Sequence, residues 1–558
     1  MYRSDIDEPA EWERVAPFKT RVAGKIQAFF HHAFLRDVRI NKIQVAKIVL
    51  RSLILIALLL FWIKTLFGQT PAGYDSSNML QWIISIVGGG IILFTGMVTD
   101  NLIEKHGIFE KVSLAAIIPM LVLLVVNVES IVIMAMLAFT ILVAFLIVFF
   151  IAGLVINTTM LNRARVIVLM IVIMTSFALP VASFLLLTQT YVFIWIFTGV
   201  LATISLAFTL KNPRRYTPTL APIALMAGFK GFLRVIRESH AIRTATFFFL
   251  SAFAVGYHAI IVLDAVEGTL EYVVIGVVII IGFPIIAIVI DNHGRKPLVY
   301  VMLISLGVIS TFLDQPGFEA THFRYLKDGF LAFSVILLII LVVVFAGDLA
   351  SAFSRGRITS VLLFCMILGA ILGVMAGNYN NTWVADHGSP DPIFTTTMSN
   401  LTSMATFIAM FLFALTREQL QPGTTTWRDH LIRLHVIMNN GLSLVFKEFK
   451  KRSNPEENGS LEDLESGGIT GLQQMLQEIS SSRQRIRVLD HGDVYLIFHY
   501  GAFTTAVLFV EKNLIIYREM LANFHLQFEY INKDVVKENY INQEELRHVP
   551  WLIDNYFT

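Results

Sequence analysis

Long apolar runs separated by short charged loops occupy the chain from about residue 46 to residue 416. A hydrocarbon core about 30 Å thick is crossed by about 20 apolar residues in a helix that rises about 1.5 Å per residue. The pattern predicts twelve transmembrane helices, near residues 46–67, 79–98, 112–128, 129–155, 166–188, 191–210, 243–264, 271–290, 298–313, 329–349, 358–378 and 398–416. The predicted fold class is therefore an all-α polytopic membrane bundle, followed by a small soluble domain.

Composition supports the membrane class. Of the 558 residues, 56% are hydrophobic and 15% are charged, whereas soluble chains average about 45–50% and about 25%. This excess of apolar surface excludes a soluble globular enzyme, a disordered chain and a fibrous protein. The single cysteine, Cys365, excludes an intrachain disulfide and a cysteine-based metal cluster.

Lysine and arginine predict the orientation. The loops after even-numbered spans hold fifteen such residues, and the loops after odd-numbered spans hold Arg324 and Lys327. By the positive-inside rule, both termini and the linker 211–242 are cytoplasmic. The linker divides the bundle into a first half, residues 46–210, and a second half, residues 243–420. Ahead of them, residues 1–45 read as a basic amphipathic helix, either on the cytoplasmic leaflet or packed on protein.

Two loop motifs repeat between the halves. Asp100 ends the second span and Asp291 ends the eighth, 191 residues later. Arg163-Ala164-Arg165 follows the fourth span, and Arg355-Gly356-Arg357 follows the tenth at an offset of 192. Two motifs at nearly one offset indicate a duplicated six-span unit with parallel halves.

The second copy, Asp291-Asn292-His293-Gly294-Arg295-Lys296-Pro297, resembles the loop signature of the major facilitator superfamily. The resemblance covers about residues 43–420 and implies two six-helix halves, a central cavity and alternating access. The gating and loop-motif residues that it implies, together with the repeat, are Gly96, Asp100, Asp291, Gly294, Arg295, Lys296, Asp348, Arg355, Arg357, Arg163 and Arg165.

The chain departs from that family's pattern in three ways. Asn101 and Asn292 stand where the family has arginine, the first copy lacks the Gly-Arg-Lys turn, and Ala287 replaces a glycine. We therefore expect a weaker charge network on the amino-terminal side.

Few ionisable residues lie deep in the spans. His258 and Asp264 are candidates for a proton-sensitive pair, or for a structural histidine and a rim carboxylate, since six residues do not share one helix face. The other polar cavity candidates are Tyr257, Gln81, Asn157 and Asn378, with Thr158 among the weaker ones. Such a cavity suits a neutral or amphipathic solute better than a strongly charged one, and it also suits a bundle that has lost transport.

After Pro422 the pattern changes. Residues 431–438 and 442–449 predict a hairpin around Asn440-Gly441. A helix at 469–479, strands at 485–489, 494–500 and 503–510, and helices at 514–530 and 544–556 follow. This order resembles the longin and roadblock group over residues 430–532, which implies a docking or regulatory module. We expect residues 427–558 to form a cytoplasmic α+β domain with one sheet face covered by helices and the other available to a protein partner.

The tail offers no catalytic chemistry. From Trp427 onward it holds 14 Lys+Arg and 18 Asp+Glu, so its net charge of −4 disfavours nucleic acid. Its histidines near the strands, His491 and His499, are expected to be isolated.

The sequence thus predicts a secondary transporter of a small neutral or amphipathic solute, with a fused regulatory domain, in the plasma membrane. The alternative is a non-transporting receptor or scaffold that presents the tail at the membrane. Neither reading makes it an enzyme or calls for a cofactor or metal. The expected partners are the lipid bilayer, the solute and a cytoplasmic protein that binds the tail.

Overall fold

The structure is a computed structural model of the chain. It describes residues 49–55, 57–58, 78–101, 106–123, 129–158, 163–172, 191–211, 239–263, 282–313, 321–349, 355–387, 392–416, 424–450, 466–472, 474–475, 478, 486–532, 546 and 549–557. The predicted amphipathic segment 1–45 and most of the linker 211–242 lie outside these residues.

Ten long helices make up the described part of the bundle, together with helical stretches at 49–58 and 163–172. They are α1 (Asn78–Asn101), α2 (His106–Leu123), α3 (Glu129–Asn157), α4 (Tyr191–Lys211), α5 (Ser239–Leu263), α6 (Phe283–His293), α7 (Lys296–Val308), α8 (Thr321–Leu349), α9 (Arg355–His387) and α10 (Pro392–Ala414). A π-helical turn, Ile309–Leu313, follows α7.

Every one of the twelve predicted runs contains part of a described helix. Within the described ranges, four helices are long and apolar enough to cross a membrane: Ser130–Val155, Tyr325–Leu349, Gly356–Tyr379 and Ile393–Ala414. Crossing by all twelve runs stays a prediction. Several helices are longer than their apolar runs, because hydropathy marks the segment that suits hydrocarbon and not the end of the backbone hydrogen bonding. Helix α9, for example, extends to His387 rather than ending near residue 378.

Each half has its own packed core, and the second core also includes residues of the first half. Residues of 49–58 pack with α2, α3 and α4 around Leu58, Ile117 and Phe139. A larger cluster joins α5 to α10 and extends into α1, α3 and the stretch 163–172, through residues such as Ile92 and Leu154. Helices α1 and α3 contact α9, and α3 also contacts α8. The two halves are therefore packed against each other.

Within the second half, α5 and α9 approach very closely. A Cβ atom added to Gly369 or Gly373 would lie 2.2 Å from the carbonyl oxygen of Phe249 or Phe253, respectively. Only glycine leaves room for such backbone contact. Glycine at these two positions thus lets α5 and α9 pack backbone against backbone.

The tail contains a five-stranded antiparallel sheet in the order β2-β1-β5-β4-β3. Its elements are a 3₁₀ turn (Thr424–His430), β1 (Leu431–Met438), β2 (Ser443–Glu448), a helical stretch 466–472, β3 (Val488–His491), β4 (Val494–Tyr500), β5 (Thr504–Val510), α11 (Ile515–Ile531) and α12 (Val549–Phe557). The predicted hairpin is confirmed, with Gly441 at φ 90° in its turn.

Both faces of this sheet carry apolar clusters. One face packs against α11 and α12, where Tyr517, Phe524 and Phe528 are fully buried. On the other face, Ile469 of the stretch 466–472 is buried with Phe498 and Val507. The expectation that this second face is left open is therefore wrong, because the helix that precedes β3 folds back onto it.

Candidate functional site

Two arginines, one from each half, bind the same buried carboxylate. Asp348 lies near the end of α8. Arg163 Nη1 donates to its Oδ1 at 2.7 Å, and Arg295 Nε donates to its Oδ2 at 2.8 Å. A second bond runs from Arg295 Nη2 to Oδ1 at 3.4 Å. The side chain of Asp348 has no exposed surface, so this centre joins the halves away from water.

Both arginines also cap the helix that precedes them. Arg163 Nη2 donates to the carbonyl oxygen of Thr158 at 3.3 Å, and Arg295 Nη1 donates to that of Ile290 at 3.4 Å. Arg163 Nε donates to Thr158 Oγ1 at 3.2 Å. Carbonyls at a helix end lack partners within the helix and carry partial negative charge. These bonds therefore offset part of the positive charge of the site.

A second bridge joins the halves at Asp291, near the end of α6. Its Oδ2 accepts from the backbone nitrogen of Arg165 at 3.0 Å and from Arg165 Nε at 3.1 Å. Its Oδ1 accepts from the backbone nitrogen of Ala164 at 3.3 Å. The carboxylate near the end of α6 thus holds the start of the helical stretch 163–172 through both backbone and side chain.

Gly96 of the first copy of the motif lies against the start of α9. A Cβ atom on Gly96 would lie 2.0 Å from Ser360 Oγ and 2.7 Å from the carbonyl oxygen of Gly356. This glycine therefore lets α1 approach the start of α9 closely. Arg357 beside it is 4% exposed. The side chains of Asp100 and Arg355 lie outside the described residues.

The Gly-Arg-Lys turn reverses the chain between α6 and α7. Gly294 has a φ of 98°, which favours glycine at a helix end. Lys296 Nζ donates to the carbonyl oxygen of Ala414 at 3.4 Å, and Arg243 Nη1 donates to that of Leu415 at 3.4 Å. The end of α10 is thus capped by two cations of the second half.

Among the described residues, the junction holds more buried cations than anions. Arg163, Arg165, Arg295 and Arg357 are each at most 6% exposed, as are Asp291 and Asp348. We name these six residues the junction cluster. In a medium of low dielectric constant such charges interact strongly, and each is costly without a partner. The cluster therefore ties the two halves to one specific arrangement.

The cavity candidates that the structure describes, His258, Tyr257 and Asn378, do not gather between the halves. His258 is fully buried, and its Nε2 lies 2.8 Å from Ser310 Oγ, within the second half. Ser310 Oγ donates to the carbonyl oxygen of Leu306, so it accepts from His258 Nε2–H. Tyr257 packs edge-to-face on His258 and against Gly373. This geometry fits the structural reading of the histidine.

The remaining cavity candidates contribute less. Asn378 is exposed on α9. Asp264 and the side chains of Gln81 and Asn157 lie outside the described residues.

The tail contains a buried polar chain that the sequence did not indicate. His499 Nδ1 lies 2.8 Å from His525 Nδ1, and His525 Nε2 lies 2.7 Å from Thr504 Oγ1. Thr504 Oγ1 donates to Glu529 Oε1 at 2.8 Å. The expectation that His499 is isolated is therefore wrong, because α11 places His525 beside it.

Glu529 determines which group donates in each hydrogen bond of this series. It accepts the backbone N–H groups of Ala502, Phe503 and Thr504 at 2.9, 2.9 and 2.8 Å. Burial acts to raise the pKa of Glu529, but these bonds outweigh it and hold the pKa below its ordinary value. Since a carboxylate only accepts, Thr504 donates to it, His525 Nε2–H donates to Thr504, and His499 Nδ1–H donates to His525.

Both histidines stay neutral in this setting. Burial lowers the pKa of His499, although the charge of Glu529 acts to raise it. Burial, with the neighbouring His499, lowers the pKa of His525 to about 3. The chain of hydrogen bonds therefore ties α11 to the β4–β5 turn with two uncharged rings.

The sequence did not predict that three residues, Thr158, Ala164 and Gly347, take part in the junction. Thr158 was placed among the weaker cavity candidates, whereas it holds Arg163. The backbone nitrogen of Ala164 binds Asp291, and Gly347 lies against the guanidinium of Arg163. Neither contact was predicted. The sequence signal for two of them is local: Gly347 directly precedes Asp348, and Thr158 lies five residues before Arg163.

Comparisons with known proteins give a fold-level likeness alone. No family model matches the chain, and no curated protein matches it. Among solved structures, the human organic anion transporter MFSD10 (TETRAN) is 14% identical at a TM-score of 0.47, covering 66% of this chain and 98% of that chain. The major facilitator superfamily proton:xylose symporter XylE, bound to 6-bromo-6-deoxy-D-glucose, is 13% identical at a TM-score of 0.48, covering 67% and 95%. Identities and scores of this size carry no argument about activity.

Proposed function

We propose that the chain is a secondary transporter that moves a small neutral or amphipathic solute by alternating access, with the tail as a regulatory domain. The observation that supports it is the junction cluster. Buried charges from the two halves meet at the bundle end where the fourth, eighth and tenth spans terminate. This cluster would be the gate that closes one face.

A gate must hold firmly and still release. Buried ion pairs add little net stability compared with apolar packing, so a permanent joint has no need of them. On separation, Asp348 keeps Arg295 of its own half, and Arg163 keeps the oxygens of Thr158. In each half, a buried charge would thus keep some of its hydrogen-bond partners after the halves separate. That property suits two states of similar free energy better than a static anchor.

The distribution of charge supports the solute class. In the described part of the bundle, the buried charged side chains are those of the junction cluster and Asp328. A strongly anionic substrate needs buried arginine or lysine in its cavity, and in these residues the buried arginines belong to the cluster. A neutral or amphipathic solute places no such demand.

The arginines also support an orientation. By the positive-inside rule, the end of the bundle that carries Arg163, Arg295 and Arg357 would face the cytoplasm. The structure would then correspond to the state closed on the cytoplasmic side, in a multi-pass plasma membrane protein with both termini inside. The tail would lie on the same side as the gate.

Flux through proteoliposomes tests the proposal. The purified chain is reconstituted, and uptake of a panel of labelled neutral and amphipathic solutes is measured for the wild type, Asp348→Asn and the exposed control Asp490→Asn. We expect saturable uptake of at least one solute, reduced in Asp348→Asn and unchanged in Asp490→Asn. Uptake that is equal in the two variants would contradict a gate at Asp348.

Absence of uptake for the whole panel would instead favour the receptor or scaffold reading. In that case deletion of the tail would abolish function entirely, whereas a transporter without its tail retains some flux.

A further inference from the structure

Arg163 occupies space that any residue other than glycine would fill. A Cβ atom on Gly347 would lie 2.1 Å from Cζ of Arg163, 2.2 Å from Nη1 and 2.4 Å from Nε. Real Cβ atoms do not approach other atoms so closely. The guanidinium of Arg163 therefore crosses α8 through the gap that Gly347 leaves, one residue before the carboxylate that it binds.

Thr158 holds the same guanidinium from the other side. Its hydroxyl donates to the carbonyl oxygen of Leu154 at 2.7 Å, so its Oγ1 is free to accept from Arg163 Nε. The carbonyl oxygen of Thr158 accepts from Nη2. With Nε and Nη2 engaged by Thr158, Nη1 faces Asp348 at 2.7 Å.

We propose that Gly347 is a positioning residue of the gate. Together with Thr158 it forms a slot that aims Arg163 at Asp348 and so sets the balance between the closed and open states. The inference rests on the proposed function, since it concerns the same gate. It adds a residue that carries no charge and makes no hydrogen bond through a side chain.

A methyl group at position 347 would displace the Arg163 side chain and leave the fold of α8 intact. Gly347→Ala removes no charge, and alanine favours a helix over glycine. The group it displaces is the end of a flexible side chain, which can swing away without unfolding α8. The expected result is a folded protein in which Arg163 no longer reaches Asp348.

The opening of the gate can be followed by cysteine reactivity. Cys365 is the one cysteine of the chain, so Cys365→Ser gives a cysteine-free background for the full-length protein. Ser360→Cys then serves as the reporter, because Ser360 has no exposed surface and lies against Gly96 of the first half. The rate of alkylation by a maleimide in detergent reports how often the halves part.

We expect Gly347→Ala to raise this rate about tenfold, the size of a typical coupling between contacting residues. The matched control is Gly90→Ala in α1, where a Cβ atom meets no atom within 4 Å, and its rate should equal that of the parent. Equal rates for Gly347→Ala and Gly90→Ala would overturn the proposal.

A double-mutant cycle separates positioning from general packing. Arg163→Ala should raise the rate by itself, and adding Gly347→Ala should then change nothing, since the methyl group enters vacated space. Arg163→Lys should partly restore the slow rate in the Gly347→Ala background, because an ammonium lacks the fork that collides. Additive effects would mean that Gly347 acts through helix packing, and the proposal would be wrong.

The two proposals fail in different ways. If Arg163→Ala and Asp348→Asn leave the alkylation rate of the Ser360→Cys reporter unchanged, the junction cluster is not a gate. If both raise the rate and Gly347→Ala does not, the gate stands and only the role of Gly347 is refuted.

Discussion

Asp291 binds both the backbone nitrogen and the guanidinium of Arg165, a residue 126 positions earlier in the chain, at 3.0 and 3.1 Å. Each residue lies in a different half, and the side chain of Asp291 is completely buried. The buried Asp291 carboxylate keeps these hydrogen bonds only while the two halves stay together. The contact therefore reports directly on the arrangement of the bundle.

Removal of the Asp291 carboxylate should destabilise this arrangement. Asp291→Ala leaves Arg165 with a buried, uncompensated charge, a loss on the order of 1–3 kcal/mol. Asp291→Asn keeps one oxygen that can accept from the backbone and should lose less. Thermal unfolding of the purified protein in detergent measures both, with exposed Asp490→Asn as the control. Equal stability of all three variants would reduce Asp291 to a topology signal.

The internal repeat makes a prediction for the first copy. At offsets of 191 and 192 residues, Asp100 corresponds to Asp291 and Arg357 to Arg165. We expect Asp100 and Arg357 to form the equivalent pair, because Gly96 already brings α1 against Gly356. Asp100→Arg and Arg357→Asp should each lower the unfolding temperature.

The exchanged double variant supplies the decisive comparison. A restored pair should recover most of the unfolding temperature that either single reversal loses. Losses that simply add in the double variant would contradict the pairing.

The repeat and the loop motif predicted the junction residues but not their partners. Spacing along the chain places Asp291 at a helix end and Arg165 in a loop, because both depend on local patterns. Which loop meets which helix depends on how two halves pack, and this leaves no periodicity in the sequence. The contact of Gly347 could not be predicted for the same reason, since its partner Arg163 lies 184 residues earlier in the chain.

In the tail, strand positions followed from alternation and turns, whereas cross-element contacts did not. Strand β4 was predicted at its observed bounds. Strand β3 was predicted to end at residue 489 but continues to His491, because the tight turn with Gly492 at φ 67° needs few residues. His499 and His525 belong to a strand and a helix, so no local pattern links them.

The tail should fold alone, and its boundary should lie before Trp427. Trp427 is 5% exposed in the main tail core, and the hydroxyl of Tyr517 donates to its carbonyl oxygen at 2.5 Å. A fragment of residues 424–558 should unfold cooperatively in denaturant. A fragment starting at residue 431 should be less stable by about 3 kcal/mol, the cost of losing a large buried aromatic side chain. A fragment 424–558 with no cooperative transition would mean that the tail needs the bundle.

The tail should lose stability in mild acid. His499 and His525 have pKa values below their ordinary 6.5 in the folded state, so the unfolded state binds more protons as the pH falls below 6.5. Because the pKa of His525 falls to about 3 in the folded state, this residue contributes a loss of about 2 kcal/mol between pH 6.5 and 5. Glu529, whose pKa is also lowered, adds a further loss below its ordinary value of 4.5.

Denaturant unfolding of the 424–558 fragment at several pH values measures this effect. His499→Asn should flatten the dependence between pH 6.5 and 5, and His491→Asn at an exposed position should leave it unchanged. A pH dependence that is identical in the two variants would rule out His499 as a source of the loss.

The most direct test of the gate is a distance measured across it. Spin labels at exposed Val112 of α2 and exposed Ile242 of α5, introduced in the Cys365→Ser background, report the separation of the two halves by pulsed electron resonance. The account predicts a dominant short distance in the parent protein and a longer population that grows in Asp348→Asn and in Asp291→Asn. A single distance that is identical in the parent and both variants would show a static bundle and contradict alternating access.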